Sequence, residues 1–278
     1  MTAVRTLLAE AAARLNAAGI ATPRVDAELM LAAALHVSRS RLLTVEDVSP
    51  PAAREYEQWV QRRESRVPLQ HITGTAPFRH IELAVGDGVF VPRPETELLV
   101  DAVLPHLRGI DAPLVVDLCA GSGALALAVA DEVPAARVVA VECSLNAIRW
   151  LTVNSVDTEV EVVHGDVRAP TVLAELNGRV DAVVCNPPYV PWTTDVAAEV
   201  RADPPEAVFA GADGLELIPA IIDCAARLLR PGGVLAMEHD DAHGDAVPAL
   251  LVSDGRWTSI AARSDLSHRP RYVVAQAR

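Results

Sequence analysis

Apolar residues in the first part of the chain recur at helical spacing. Leu7, Leu8, Ala11 and Leu15 mark one face, and Gly19 stands where such a helix would stop. Val25 to Leu35 repeats the pattern behind Pro23. After a turn at Arg41–Thr44, Ser49-Pro50-Pro51 opens a third helix that runs to Glu64. Residues 1–72 therefore predict a small all-α helical bundle. The pattern changes at Gly74 and Pro77. Phe78–Val85 and Val89–Val91 flank Gly86-Asp87-Gly88, so residues 73–91 predict a β-hairpin linker. From Pro94 onward, short apolar runs alternate with helical periods. Leu114–Leu118, Val138–Glu142, Val160–Val163, Ala182–Cys185, Val234–Glu238, Trp257–Ala261 and Tyr272–Ala275 predict strands. Gly123–Glu132, Leu145–Asn154 and Gly214–Leu229 predict helices. This alternation predicts an α/β domain over 92–278, with a mainly parallel sheet that binds ligands at the carboxyl ends of its strands.

Composition narrows the chemistry. All 24 basic residues are Arg, so every scheme that needs a lysine is excluded: Schiff-base chemistry, a phosphate-loop lysine, a Ser-Lys dyad. The net charge of −13 is unevenly spread. Residues 1–75 carry nine Arg against eight acids, and residues 76–278 carry 15 Arg against 29 acids. An acidic body argues against direct nucleic-acid binding through phosphate contacts. No apolar run reaches the roughly 18 residues of a membrane span. The start of the chain lacks the apolar core of a signal peptide. Cys119, Cys143, Cys185 and Cys224 stand 24, 42 and 39 positions apart, which suits neither a metal site nor a disulfide framework. The expectation is a cytoplasmic protein with reduced thiols and no metal or membrane partner.

Three motifs fall at predicted strand ends. Val115-Val116-Asp117-Leu118-Cys119-Ala120-Gly121-Ser122-Gly123-Ala124 is a strand, a small-residue loop and a helix start. Its glycines let backbone approach a nucleoside-containing ligand, although Cys119 departs from a dinucleotide fingerprint. A plain tight turn is the alternative. Glu142 closes the next strand, where a carboxylate can accept from both hydroxyls of a ribose. Asn186-Pro187-Pro188-Tyr189 follows the apolar run Ala182–Cys185. Two prolines cannot continue a ladder, so the chain leaves the sheet extended. The Asn186 side chain and the Pro187 carbonyl then offer two acceptors, which suits an NH₂ group on sp² carbon. Tyr189 can cover the reacting centre and favour a cationic sulfur through its ring face.

Together these motifs resemble a class I S-adenosylmethionine-dependent methyltransferase acting on a planar amino nitrogen. Asn-Pro-Pro-Tyr occurs both in enzymes that methylate nucleic-acid bases and in those that methylate the glutamine of peptide-chain release factors. Residues 67–100 separate the two. They read Val-Pro-Leu-Gln-His-Ile-Thr-Gly-Thr-Ala-Pro-Phe, then the predicted hairpin, then Val91-Pro92-Arg93-Pro94-Glu95-Thr96-Glu97-Leu98-Leu99-Val100. This resembles the release-factor glutamine methyltransferase family (HemK/PrmC type) over the whole chain. The resemblance continues at Glu199-Val200-Arg201, Ala210-Gly211-Ala212-Asp213-Gly214-Leu215, Pro231-Gly232-Gly233 and Asp265-Leu266…Arg269-Pro270-Arg271.

The resemblance implies a seven-stranded Rossmann-like sheet of order 3-2-1-4-5-7-6 with one antiparallel strand. It implies S-adenosyl-L-methionine as cofactor and S-adenosyl-L-homocysteine as product. Cys119, Ala120, Gly121, Ser122, Gly123, Glu142, Asp166 and Val167, with Asn186, would hold the cofactor. Asn186, Pro187, Pro188 and Tyr189 would bind the substrate, and Asn186, Pro187 and Tyr189 would carry catalysis. The substrate would be the Gln of a Gly-Gly-Gln loop in a class 1 release factor, gripped by the helical bundle of a monomeric enzyme. Cys119 stands where the family often has Gly, and Val167 where some members have an aromatic residue. Glu95 and Glu97 sit in a first helical turn, where acids are favoured anyway. Thr96 and Arg93 can face the pocket, and His243 is given no role. Cys119, Cys143 and Cys185 fall at strand ends and are expected to make the pocket sensitive to thiol alkylation. The alternatives are an N6-adenine DNA or RNA methyltransferase, and a non-catalytic cofactor-binding partner of the translation machinery.

Overall fold

The computed structural model describes residues 2–278. The chain divides into two compact units, one reaching to Thr75 and including Val196–Ala202, the other holding Ala76–Asp195 and Asp203–Arg278.

The first unit is helical. A short pair, β1 (Thr2–Ala3) and β2 (Asp47–Val48), runs antiparallel. Around it lie α1 (Val4–Ala17), α2 (Pro23–Ala34), α3 (Pro50–Glu64) and α4 (Leu69–Thr73). Pro23 and Pro50 occupy first turns, where their missing N–H costs nothing. Gly74 ends α4 in the left-handed conformation. Leu8, Leu15, Met30, Leu31, Tyr56 and Val60 form the core. Arginines of this unit are used internally. Arg14 pairs with Glu57 and Glu64, Arg24 and Arg39 with Glu28, and buried Arg63 with buried Asp26 at 2.8 Å. Glu199 accepts from Arg63 at 3.1 Å and from Arg66 at 2.8 Å. Val196–Ala202 thus belongs to the helical unit, not to the 92–278 block expected from sequence. The reason is ionic: the Glu199 carboxylate is claimed by two arginines of the α3 end.

The second unit begins at Ala76, inside β3 (Thr75–Phe78), which forms a two-stranded sheet with β4 (Ile81–Ala84). The chain turns at Arg79-His80, with Arg79 at φ 50°. The hairpin expected to turn at Gly86-Asp87-Gly88 therefore turns seven residues earlier. Those glycines answer to packing: a Cβ on Gly86 would lie 2.6 Å from the Trp150 ring, and Trp150 Nε1 donates to the Asp87 carbonyl.

After a 3₁₀ turn at Pro94–Thr96 comes α5 (Glu97–Leu107). Then follow β5 (Leu114–Leu118), α6 (Ala124–Glu132), β6 (Arg137–Glu142), α7 (Leu145–Asn154), β7 (Glu161–His164) and β8 (Val180–Cys185). The chain closes with α8 (Pro205–Val208), α9 (Ile218–Leu228), β9 (Leu229–Glu238), α10 (Ala246–Asp254), β10 (Trp257–Ser264) and β11 (Pro270–Ala277). The sheet order is β10-β11-β9-β8-β5-β6-β7. Numbered within the sheet, that is 3-2-1-4-5-7-6, the order the resemblance implied. β5 runs parallel to β6 and β8, whereas β11 is antiparallel to both its neighbours.

Successive residues of each strand serve opposite faces. Val115, Ala140, Val184 and Ala236 pack with Leu99, Leu127 and Leu151 on one face. Val116, Val139, Val183 and Leu235 pack with Ile221, Leu228 and Leu251 on the other. Burial on both faces explains why these strands read as continuous apolar runs. It also brings the carboxyl ends of β5, β6, β8 and β9 into one row.

Candidate active site

The row is set by register. Leu118 of β5 lies opposite Val141 of β6 and Cys185 of β8, and Cys185 lies opposite Met237 of β9. Cys119, Glu142, Asn186 and Glu238 therefore leave the sheet side by side.

At the β5–β6 end the loop Cys119–Gly123 is held by backbone. The Ala120 N–H donates to the Val141 carbonyl at 3.0 Å. Cys119 sits at φ 63°, a left-handed conformation that explains why Gly is common there. Gly121, at φ 56°, has open space where a Cβ would stand, whereas a Cβ on Gly123 would lie 2.6 Å from Leu151 Cδ1. Gly121 thus leaves room for a ligand; Gly123 leaves room for α7. Glu142 is buried. Its Oε2 accepts from the Gly121 N–H at 2.8 Å and its Oε1 from the Ser144 N–H at 2.7 Å. Each oxygen keeps lone-pair capacity for a ribose hydroxyl. Asp117 is a feature the sequence reading passed over. Its Oδ2 caps α6 through the Ala126 N–H at 3.1 Å, its Oδ1 is buried without a partner, and burial holds its carboxyl well above the usual range. An open glycine, an oriented carboxylate and an orphaned buried oxygen together fit a polar cationic nucleoside cofactor such as S-adenosylmethionine.

Asp166 follows β7, and its carboxylate is gripped by Arg168 at 2.7 Å, which holds its pKa low. Val167 is buried in the core of the second sheet face. Ala120 and Ser122 are buried within the loop.

The β8–β9 end is built from side chains. Asn186 Nδ2 donates to Thr96 Oγ1 at 2.9 Å. The Thr96 hydroxyl donates to Glu238 Oε2 at 2.7 Å, and the Tyr189 hydroxyl donates to Glu238 Oε1 at 2.8 Å. Burial raises the Glu238 pKa, although both hydrogen bonds oppose the shift. Burial and the neighbouring Glu238 push the Tyr189 hydroxyl well up, so it stays a neutral donor. Pro187 is buried, and Pro188 is half-buried.

Residues 208–214 buttress this motif from behind. The Val190 N–H donates to the Val208 carbonyl, and the Ala210 N–H returns to the Val190 carbonyl at 2.9 Å. A Cβ on Gly214 would lie 2.1 Å from the Tyr189 carbonyl oxygen. His243 is buried with its Nε2 2.8 Å from the Asp213 carbonyl, which gives it a structural part here. Arg93 pairs with Asp203 at 2.5 Å, and Asp203 also accepts from the Val91 N–H. Glu97 accepts from the Arg79 N–H and is structural. Sequence reading gave Glu238 no role, because its partners lie 49 and 142 positions away. Of the strand-end thiols, Cys185 is buried, Cys119 is half-buried and Cys143 is exposed, and partial burial pushes the Cys143 thiol up to about 11.

Comparisons with known proteins place the chain in a family. Residues 6–74 match the family described as PrmC N-terminal domain, and residues 88–244 match the methyltransferase small domain. The release factor glutamine methyltransferase of Mycolicibacterium smegmatis is 48% identical over 276 residues, covering 99% of this chain and 98% of that protein. The protein of the same name from Streptomyces coelicolor is 49% identical, covering 97% and 96%. A 4-amino-L-phenylalanine/4-methylamino-L-phenylalanine methyltransferase of Streptomyces pristinaespiralis is 41% identical, covering 95% and 93%. Among solved structures, the Thermus thermophilus 16S rRNA N2 G1207 methyltransferase RsmC, in complex with AdoMet and guanosine, superposes with TM-score 0.52 at 24% identity. It covers 73% of this chain and 50% of that one, a likeness of fold. Sheet order, strand-end loops and near full-length identity converge: the chain belongs to the release factor glutamine methyltransferase family.

Proposed function

We propose that the chain transfers a methyl group from S-adenosylmethionine to the side-chain amide nitrogen (N5) of the Gln in the Gly-Gly-Gln loop of class 1 release factors. One observation carries the reading. Asn186-Pro187-Pro188-Tyr189 leaves β8 directly beside the Cys119–Gly123 loop, because Leu118 and Cys185 are in register. When bound, S-adenosylmethionine supplies a methyl group on a cationic sulfur that leaves as neutral S-adenosylhomocysteine. Glu142 and the Gly121 backbone would orient the nucleoside, and Asp166 and Val167 would hold its base. Asn186 Oδ1 and the Pro187 carbonyl accept the two amide N–H bonds. They would hold the nitrogen in line and favour its pyramidalisation as the C–N bond forms and the S–CH₃ bond breaks, one of the two amide protons then passing to water. Tyr189 packs beside the reacting centre. Catalysis is positioning and electrostatics.

The substrate is taken to be protein, met by a monomer in the cytoplasm, with no direct role for nucleic acid. Among the described residues no helix is long and apolar enough to cross a membrane. The helical unit is the proposed grip on the release factor. Arg5, Arg41 and Arg54 are its exposed candidates, since most of its other arginines are paired within the unit. The Streptomyces pristinaespiralis relative favours a second reading, in which the acceptor is a small aromatic amine, also a planar NH₂ on sp² carbon. The test is to incubate the chain with methyl-labelled cofactor and, separately, a release factor, 4-amino-phenylalanine, RNA and DNA, then map the label. Label on the Gly-Gly-Gln glutamine is expected. Label on the aromatic amine or on nucleic acid, with none on the release factor, would overturn the reading.

A further inference from the structure

We propose that Glu238, acting through Thr96, sets which end of the Asn186 side-chain amide faces the acceptor, so that Thr96 and Glu238 are positioning residues for the transfer. The inference rests on the reading of Asn186 as the group that receives the substrate amide.

The argument is a count of hydrogens. Thr96 has one hydroxyl hydrogen and lies between two groups, Asn186 at 2.9 Å and Glu238 at 2.7 Å. An ionised carboxylate can only accept, so the Thr96 hydrogen is committed to Glu238 Oε2. Thr96 Oγ1 then meets Asn186 as an acceptor, and only Nδ2 can pair with it. The carbonyl oxygen, Oδ1, is thereby turned toward the acceptor side, where it can receive an N–H. The flipped amide would set Oδ1 against the Thr96 lone pairs and present an NH₂ to the incoming NH₂. Losing one buried hydrogen bond in this way disfavours the flip by roughly tenfold or more.

The same carboxylate steadies the other end of the motif, since Tyr189 donates to its second oxygen at 2.8 Å. Thr96 and Glu238 are 3% and 1% exposed, so these bonds lie away from bulk solvent. Packing alone would be met by a neutral side chain of the same shape. Gln at 238 that keeps its Oε1 on the Tyr189 hydroxyl would offer Nε2 to Thr96, freeing the Thr96 hydrogen to meet Asn186 Oδ1. That reverses the relay and turns the wrong end of Asn186 outward. An acid is the residue that sends the polarity the useful way.

The test compares Thr96→Ser, Thr96→Val, Glu238→Gln and the Thr96→Val/Glu238→Gln double variant in the full chain. The readouts are kcat and KM on a release factor, S-adenosylmethionine affinity, thermal stability, and the side-chain ¹⁵N–¹H₂ resonances of Asn186. Thr96→Val and Glu238→Gln are expected to lower kcat by about tenfold or more, with cofactor affinity and melting temperature nearly held. The double variant is expected to be no worse than the poorer single, because both break one relay. Thr96→Ser restores most of the rate. The Asn186 amide resonances are expected to move in the Val and Gln variants and not in the Ser variant. Wild-type kcat in Glu238→Gln, additive losses in the double variant, or unmoved Asn186 resonances would each overturn the relay. If the unmodified chain leaves the glutamine unlabelled, the functional reading has failed, and the resonances still decide the relay by themselves.

Discussion

The two ends of the strand row are built by different means. The β5–β6 end is assembled mainly from backbone groups close in sequence: the Gly121 N–H meets Glu142 across 21 positions, and Ser144 across two. The β8–β9 end is assembled from side chains that come together across 49, 90 and 142 positions. The first end has a glycine with open space beside it; the second has Gly214 filled to contact by the Tyr189 carbonyl. The difference separates recognition of a fixed cofactor, which a local loop can supply, from orientation of an acceptor amide, which needs groups held from several directions.

Gly214→Ala presses hardest on the comparison. Its Cβ would collide with backbone at 2.1 Å, in a chain already at φ 79°. The expected outcome is a loss of about 2–4 kcal/mol of stability and of most turnover. A calorimetric melt with an activity assay checks it, and a neutral result would remove the buttress role from residues 208–214.

Glu142→Ala acts at the opposite end. It removes the proposed ribose acceptor and leaves two backbone N–H groups unpaired. Cofactor affinity should fall by about 10–100-fold, while kcat at saturating cofactor stays within a few-fold. Equal losses in kcat and affinity, measured by titration calorimetry and steady-state kinetics, would erase the separation of the two ends.

The pH response should distinguish fold from turnover. Burial raises the Glu238 pKa, with Arg271 opposing and Glu95 reinforcing the shift. Asp240 and Arg271 also act on its partner Tyr189. The folded chain therefore takes up this proton at a higher pH than the unfolded chain. Its contribution to stability is fully present below the ordinary carboxylate pKa and is lost as pH rises through the raised value. Asp117, also raised by burial, acts in the same sense. Turnover needs the Glu238 carboxylate, so it should fall as pH drops through that same raised value, before the fold is lost. Rate profiles and melts across the acid range check the order; a flat kcat down to the melting pH contradicts it.

The smallest expected effect is at Cys119→Gly. Releasing the left-handed strain at φ 63° should stabilise by at most about 1 kcal/mol, less whatever side-chain packing is lost. A lowered melting temperature would show that packing outweighs strain.

Legibility in the sequence follows the same division. Leu114–Leu118 and Leu145–Asn154 have the bounds that their pattern predicts, because both are local periods with clear stops. Glu142 and Asn186 stand out in the sequence because one ends an apolar strand and the other directly follows one. Gly86 and Gly88 read as a hairpin turn, yet Gly86 makes room for Trp150 and Gly88 for Asn146, a tertiary demand with no local mark. α10 went unrecognised, since only Val247 and Leu251 are buried and Pro248 interrupts its period. Val196–Ala202 joined the helical unit through Glu199, an ionic attachment invisible to hydrophobic spacing. Glu238 carries the same sequence mark as Glu142, an acid ending an apolar strand run. Its partners Thr96 and Tyr189 are defined only once the sheet has formed.

The most direct measurement is on Asn186→Ala: kcat with a release factor alongside S-adenosylmethionine affinity. Removing a positioned acceptor should lower kcat by roughly 100-fold or more, with affinity held within a few-fold. Near wild-type turnover would contradict the role given to Asn186, and a matching collapse of cofactor affinity would contradict the separation of the two ends.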